Sequence, residues 1–360
     1  MKRVLAIDGG GMRGVYTSVY LSALAKEIAK KRGTGALDVG KAFDLIVGTS
    51  TGGIIACALA AGVSLDEVTN LYRKHGKEIF PRKMPSRFNF DLFCQLFNRQ
   101  NYLARGTKAL QRVLEKDEAF GNETIGQVYD RRGIALAIPA VEMTRHKSWV
   151  FKTSHLNGTR DNGFRLVDVC LATSAAPLYR SMARVENPTS PGNYHVFVDG
   201  GLWANNPVMV GLIDAVQMAE PDERIEIFSL GTCPRPAGDI FEAGDMHRGL
   251  MQWKFGAEAA STAIDAQEYA YDNMAGLLAK HLDRQCHVVR FPRGELSAKA
   301  MPYLDLDETS EKAMQVLSEQ AQADVSVALS SYDRADDGGG RFFASLLNDL
   351  PLVDKQGPSV

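Results

Sequence analysis

The chain has 360 residues, 45% of them hydrophobic, with 41 basic and 43 acidic side chains and a net charge of −2. That length and apolar fraction sustain a substantial core, as one large α/β domain with appendages or as two smaller domains, and the balanced charge excludes the basic footprint of a DNA- or RNA-binding protein. Five scattered cysteines without a C-x-x-C pair predict reduced thiols, and seven histidines without ligand spacing predict no metal site. No run reaches the length of a transmembrane helix, and the apolar run after Lys2-Arg3 stops at Ile7, too short for a signal peptide. The expectation is a soluble protein of the cytoplasm.

Residues 2–7 (KRVLAI) read as a buried first strand running into Asp8-Gly9-Gly10-Gly11-Met12-Arg13-Gly14, with helical periodicity from about 15 to 31. A second strand over 43–48 enters Gly48-Thr49-Ser50-Thr51-Gly52-Gly53, and an Ala/Ile/Leu-rich helix leaves it. Strand, glycine turn and helix, twice over, is the grammar of a parallel sheet covered on both faces. A helix over 64–80 is capped by Ser64, with Glu67 at the capping-box position. Residues 81–105 break the pattern with two prolines, several arginines, and Phe88, Phe90, Phe93, Phe97 and Tyr102. That segment is either a solvated loop with inward aromatics or, over Pro81 to Tyr102, a mobile cover above a site that meets lipid. Then come a helix over 107–115, strands over 133–142 and 149–153, and a helix over 166–173. A strand over 194–198 ends in Asp199-Gly200-Gly201, followed by a helix over 208–219 and a strand over 225–230. Beyond Cys233 the texture is largely helical over 241–282 and 310–331, with a short strand at 288–291, a hinge at 336–340 and a disordered end from about 354.

Ser50 centres a G-x-S-x-G match between strand and helix, the setting of a nucleophile elbow. Gly48 and Gly52 would let the strained turn pass its neighbours, and the helix N-terminus would favour negative charge developing at Ser50. For the motif alone, an ordinary turn with Ser50 as a helix cap is the competing reading. A serine nucleophile also needs a base and oxyanion donors. His247, His281 and His287 read as surface or helix-packing residues. Asp199, at a strand end, would share the carboxyl edge of a parallel sheet with Ser50, unless it only shapes an Asp-Gly turn. Gly9, Gly10 and Gly11 offer amides to that edge, with the charge of Arg13 beside them. The same stretch fits the dinucleotide fingerprint G-x-G-x-x-G, but a serine turn stands where that motif needs an acid after the second strand.

These three stretches, in this order and each at a strand end, resemble the patatin-like phospholipase family. The resemblance extends to Ala172-Thr173-Ser174-Ala175-Ala176-Pro177, Ala204-Asn205-Asn206-Pro207 and Ser229-Leu230-Gly231-Thr232, while Cys233 stands where members often carry another glycine. It implies an α/β fold, a three-layer α/β/α sandwich with a mainly parallel sheet, divided into a catalytic core over 1–232 and a mainly helical extension over 233–360 packed on it. It implies a lipid acyl hydrolase of phospholipase A type with Ser50 as nucleophile, Asp199 as base and an acyl-serine intermediate. Gly48 and Gly52 frame the elbow, Gly9, Gly10, Gly11 and Arg13 form the oxyanion hole, and neither cofactor nor metal is required. The implied substrate is a phospholipid membrane surface, with the protein peripheral at the inner membrane when active and a homodimer compatible with the family.

The size and helical tail are also similar to bacterial patatin-like effectors of antiphage defence, which cyclic di- or oligonucleotides switch on. That likeness implies a latent enzyme with a cyclic-nucleotide activator. Beside it stand a constitutive lipase, a nucleotide- or phosphate-binding module built on the glycine loops, and a helical interaction protein working through the region after Cys233.

Overall fold

A computed structural model describes the protein at residues 1–84, 90–233, 242–249, 253, 256–291, 296, 298–334 and 338–353. Among these, eight strands form one sheet: β1 (Lys2–Ile7), β2 (Leu45–Gly48), β3 (Ala135–Glu142), β4 (Lys147–Lys152), β5 (Ala183–Glu186), β6 (Tyr194–Asp199), β7 (Ile225–Leu230) and β8 (Cys286–Phe291). Their order is β5-β6-β3-β2-β1-β7-β8, with β4 also paired to β3. The run β3-β2-β1-β7-β8 is parallel throughout, whereas β4 and β6 run antiparallel to β3, and β5 antiparallel to β6.

Side-chain alternation builds two cores from this one sheet. Leu5, Ile7, Ile46, Ile138 and Phe228 point to one face, beneath α1 (Gly14–Arg32), α2 (Thr51–Ala61), α3 (Leu65–Ile79) and α6 (Leu166–Thr173). Val4, Ala6, Leu45, Val47 and Ala137 point to the other, beneath α8 (Val208–Met218) and α9 (Ala257–His281). The second face is lined with small residues, so α8 rides close: a Cβ at Gly211 would sit 3.0 Å from Val4. α3 begins with a complete capping box between Ser64 and Glu67, and α5 (Ile125–Arg132) with another between Thr124 and Gln127. No described helix is long and apolar enough to cross a membrane.

Two expectations need correction. Asp199 was expected on a strand parallel to β2, yet β6 runs the other way. β3 continues past Ala137, which pairs with Val47 at the last contact with β2, to Glu142, and β6 returns along that overhang with Ala140 opposite Asp199. Asp199 therefore arrives at the carboxyl edge of the parallel strands from outside. The irregular segment expected over 81–105 is helical from Phe90 onward, as α4 (Phe90–Leu114). Its break in pattern reflects a helix that buries Ala109, Leu110 and Leu114 near its end. The side chains of Phe88, Phe90, Phe93 and Phe97, which carried the idea of a cover, lie outside the described residues, as does the chain end from 354.

The chain after Cys233 supplies more than outer helices. β8 extends the sheet alongside β7, and α10 (Glu311–Arg334) packs on α1. There the buried Tyr16 hydroxyl donates to Asp324 Oδ2 at 2.6 Å, while Gln320 donates to Oδ1 at 3.0 Å. α11 (Gly338–Asp349), beginning at the expected hinge, brings Asp349 to the Arg3 guanidinium at 2.6 Å, and Arg3 also pairs with buried Glu226 at 3.0 Å. A hydrogen bond to a charged acceptor contributes roughly 1.5–3 kcal/mol. Tyr16→Phe is therefore expected to lower the urea-unfolding free energy by about 2 kcal/mol; an unchanged midpoint would show that α10 is not anchored through Asp324.

Candidate active site

β2 delivers the chain into a turn that only this local sequence permits. Ser50 sits at φ 55°, ψ −121°, a positive φ that a residue with a side chain adopts at a cost. A Cβ at position 48 would lie 2.2 Å from the Gly52 carbonyl, and one at position 52 would lie 2.3 Å from the Ile7 carbonyl. Glycine is thus required at both positions, and Ser50 is held at the N-terminus of α2 with its side chain turned away from capping the helix.

The Ser50 hydroxyl donates to Asp199 Oδ2 at 2.7 Å. The other carboxylate oxygen accepts the Gly201 N–H at 2.7 Å, at the start of α7 (Gly201–Ala204). Thr173, the last residue of α6, ties the two halves together. Its hydroxyl accepts the Ser50 N–H at 2.9 Å and donates to Pro139 O at 2.6 Å, while its carbonyl accepts the Gly200 N–H at 3.2 Å. Both members of the pair are buried, and no histidine lines the pocket around them among the described residues. Burial pushes the Asp199 carboxyl up to about 6, against the opposing pull of the Ser50 hydroxyl, the Gly201 N–H and the Arg180 charge.

The glycine loop after β1 lies along the same pocket. Gly9 was expected among the oxyanion donors, but its N–H is engaged by Asn205 O at 2.9 Å, since the chain must be pinned where it leaves the sheet. The Gly10 and Gly11 N–H groups have no acceptor among the described residues. Their orientation is fixed from the carbonyl side of each planar peptide. Gly9 O accepts Thr232 Oγ1 at 2.9 Å and Asn205 Nδ2 at 3.4 Å, which locks the Gly9–Gly10 peptide. Gly10 O accepts Arg13 Nε at 3.4 Å, and Gly11 O accepts Thr51 Oγ1 at 2.8 Å. Arg13 is thus buried against the loop that it steadies.

Three contributors to the pocket were not legible in the sequence. Asn205 holds Gly9 and is itself held by α9, through Gln267 Oε1 on its N–H at 2.7 Å and Glu268 on its side-chain amide. Ala260, Ser261 and Ile264 of α9, with Leu306, close one side of the pocket, and Leu306 O accepts the Met12 N–H at 2.8 Å. Arg180 lines the pocket from the loop after α6. Asn205 stands in the Ala204-Asn205-Asn206-Pro207 stretch, but its hold on Gly9, like the places of Arg180 and the α9 wall, shows only in tertiary contact. Exposed Leu178 and Leu202 sit at the rim of the cavity, whose volume is about 170 Å³.

A buried Ser-Asp pair on an elbow, facing locked and unengaged amides, is the equipment of an acyl-transfer enzyme. Comparison with known proteins agrees. The family model for patatin-like phospholipase matches residues 5–212. A cGAMP-activated phospholipase of Escherichia coli (strain TW11681) is 30% identical over 332 residues, covering 88% of this chain and 86% of that protein. A cGAMP-activated phospholipase of Vibrio cholerae is 35% identical over 239 residues, a match spanning 64% of each chain and so less than two thirds of that relative. A cUMP-AMP-activated phospholipase of Escherichia coli is 27% identical over 309 residues, or 84% of this chain and 85% of that one. With the family model matching over half its length, the chain belongs to the patatin-like phospholipase family of lipid-hydrolysing serine hydrolases.

Proposed function

We propose that the protein cleaves fatty-acyl esters of membrane phospholipids through a Ser50–Asp199 dyad, and that a cyclic dinucleotide releases it from a closed, latent state. The observation that carries the chemistry is the 2.7 Å hydrogen bond from Ser50 Oγ to Asp199 Oδ2 inside the pocket. As Oγ attacks the ester carbonyl carbon, its proton passes to Asp199. The Gly10 and Gly11 amides stabilise the tetrahedral oxyanion, and because their peptides are already locked, little reorganisation accompanies the charge. Collapse breaks the ester C–O bond, the leaving lysolipid alcohol takes the proton from Asp199, and the acyl group stays on Ser50. Water then attacks the acyl-serine, Asp199 takes its proton, and collapse returns that proton to Ser50 as the fatty acid departs. Arg13 is the positioning residue for the Gly10–Gly11 peptide.

Latency is supported by size. Pockets that enclose a drug-sized ligand run to about 300–1,000 Å³, and a two-chain phospholipid is larger still, whereas this cavity holds about 170 Å³. α9 and Leu306 form the wall that must yield. The relatives named as activated by cGAMP or cUMP-AMP supply the class of activator, which must favour the open state to shift the balance. Leu178 and Leu202, each 48% exposed at the rim, suit a protein that docks peripherally on the inner membrane when active.

Ser50→Ala and Asp199→Asn are each expected to abolish ester hydrolysis, with the double variant scarcely worse than either, and a fluorophosphonate probe to label wild type but not Ser50→Ala. Retention of most activity by Asp199→Asn alongside its loss in a histidine variant would replace the dyad by a triad.

The ionised form of Asp199 is the active one, so kcat/KM should rise with pH through a midpoint near 6. The sign for stability is the reverse. A carboxyl with a folded pKa above its unfolded 3.8 binds protons more tightly in the native state, so its contribution to stability falls as pH rises from about 4 through 6. Asp199→Asn should therefore raise the unfolding midpoint at pH 8 relative to wild type, and a rate profile flat from pH 5 to 8 would remove Asp199 as base.

Esterase turnover of the full chain, assayed against a panel of cyclic dinucleotides, should increase severalfold or more with one of them. A full basal rate that none alters would leave a constitutive lipase.

A further inference from the structure

Arg180 lies at the foot of the loop that follows α6, and its side chain lines the pocket that contains Ser50 and Asp199. It is only 6% exposed, and its Nη2 is buried without a hydrogen-bond partner. No carboxylate stands within ion-pair distance of it among the described residues. The Phe80 ring lies 5.8 Å from the guanidinium carbon, and burial lowers the Arg180 pKa to about 10. A guanidinium buried with no carboxylate in direct contact is costly, and the fold keeps it within electrostatic reach of Asp199. Arg13, the other arginine of the pocket, has its Nε on Gly10 O, so the two are not interchangeable.

A planar guanidinium with a free terminal nitrogen is matched by a phosphate oxygen, which it binds more strongly than a neutral acceptor. Within one small pocket, a ligand that reaches both Ser50 and Arg180 must carry its ester and its anion only a few bonds apart. A glycerophospholipid does so, since one three-carbon glycerol bears both the acyl esters and the phosphodiester. We propose that Arg180 is the substrate-phosphate recognition residue of this site, selecting phosphoglycerides over neutral acylglycerols. The assignment rests on the hydrolase reading above. It makes Arg180 a binding group for the ground state and transition state alike, with the dyad left to carry the bond changes.

The test compares two substrates differing only in the headgroup, dioleoylphosphatidylcholine and dioleoylglycerol, in identical neutral detergent micelles, with and without cGAMP. Phosphatidylcholine carries no net charge, so bulk electrostatics cancel. Wild type should prefer the phospholipid, and Arg180→Met should lower the ratio of kcat/KM values by about 30-fold, the range of one charge-assisted hydrogen bond. Arg180→Lys should fall between. Thermal unfolding of Arg180→Met should not be weakened, because an unpaired buried charge has been removed. Inorganic phosphate and glycerol 3-phosphate should inhibit wild-type turnover of p-nitrophenyl butyrate competitively, and the methionine variant much less.

Equal losses on both lipids, with the acid limb of the pH profile moved upward, would mean that Arg180 only supports the Asp199 carboxylate and would overturn the proposal. Inhibition by inorganic phosphate without any change in lipid preference would assign a free phosphate to the site and overturn the headgroup role. Failure of wild type to cleave any ester under all conditions would remove the hydrolase reading itself, a distinct result.

Discussion

A carboxylate can serve as base for a serine only if it is kept from water without being neutralised. Asp199 meets this constraint by burial at the end of β6, with a single Gly201 amide on one oxygen and the Ser50 hydroxyl on the other. More donors would stabilise the anion and weaken the base, whereas fewer would leave it protonated at neutral pH. The rest of the site serves that balance. Thr173 aligns the two backbones, the elbow glycines let Ser50 approach, and the amides of the Gly10–Gly11 stretch lie along the same pocket.

Sequence and structure agree where the information is local. Buried apolar runs mark β1, β2 and β7, and the Ser64–Glu67 spacing marks the start of α3. Glycine spacing marks the two loops because close approach leaves no other residue there. Strand direction is not local. The segment YHVFVD reads the same whichever way it pairs, and only the overhang of β3 shows that β6 runs antiparallel. β5, with four residues, alternates buried and exposed too briefly to stand out. The oxyanion loop illustrates the same limit, since its glycines announce exposed amides, yet the pairing of Gly9 with Asn205 depends on a partner almost two hundred residues away. Arg180 carries no signal at all, because an arginine after a proline-containing loop is ordinarily a surface residue.

The C-terminal third joins the site by contact rather than by chemistry. Glu268 and Gln267 grip Asn205, Asn205 grips Gly9, and Thr232 grips the same Gly9 carbonyl. Arg290 on β8 binds Asp8, the residue that opens the glycine loop, at 2.5 Å, and approaches Asp272 on α9 at 3.5 Å. Burial raises the Asp8 carboxyl to about 7 even with this cation beside it. Displacement of α9 or β8 would therefore reach the Gly9–Gly11 loop through a chain of side chains already in contact.

That grip bears on how such proteins can be recombined. The segment recognised by the family model stops at residue 212, before β7, β8 and α9. A graft of that segment alone into another scaffold would carry Ser50, Asp199 and the glycines, but would leave Asn205 without Gln267 and Glu268, and the Gly9 carbonyl without Thr232. Functional chimeras between relatives should exchange the glycine loop, Asn205 and α9 as one unit, because these segments share a single hydrogen-bond network despite their separation along the chain.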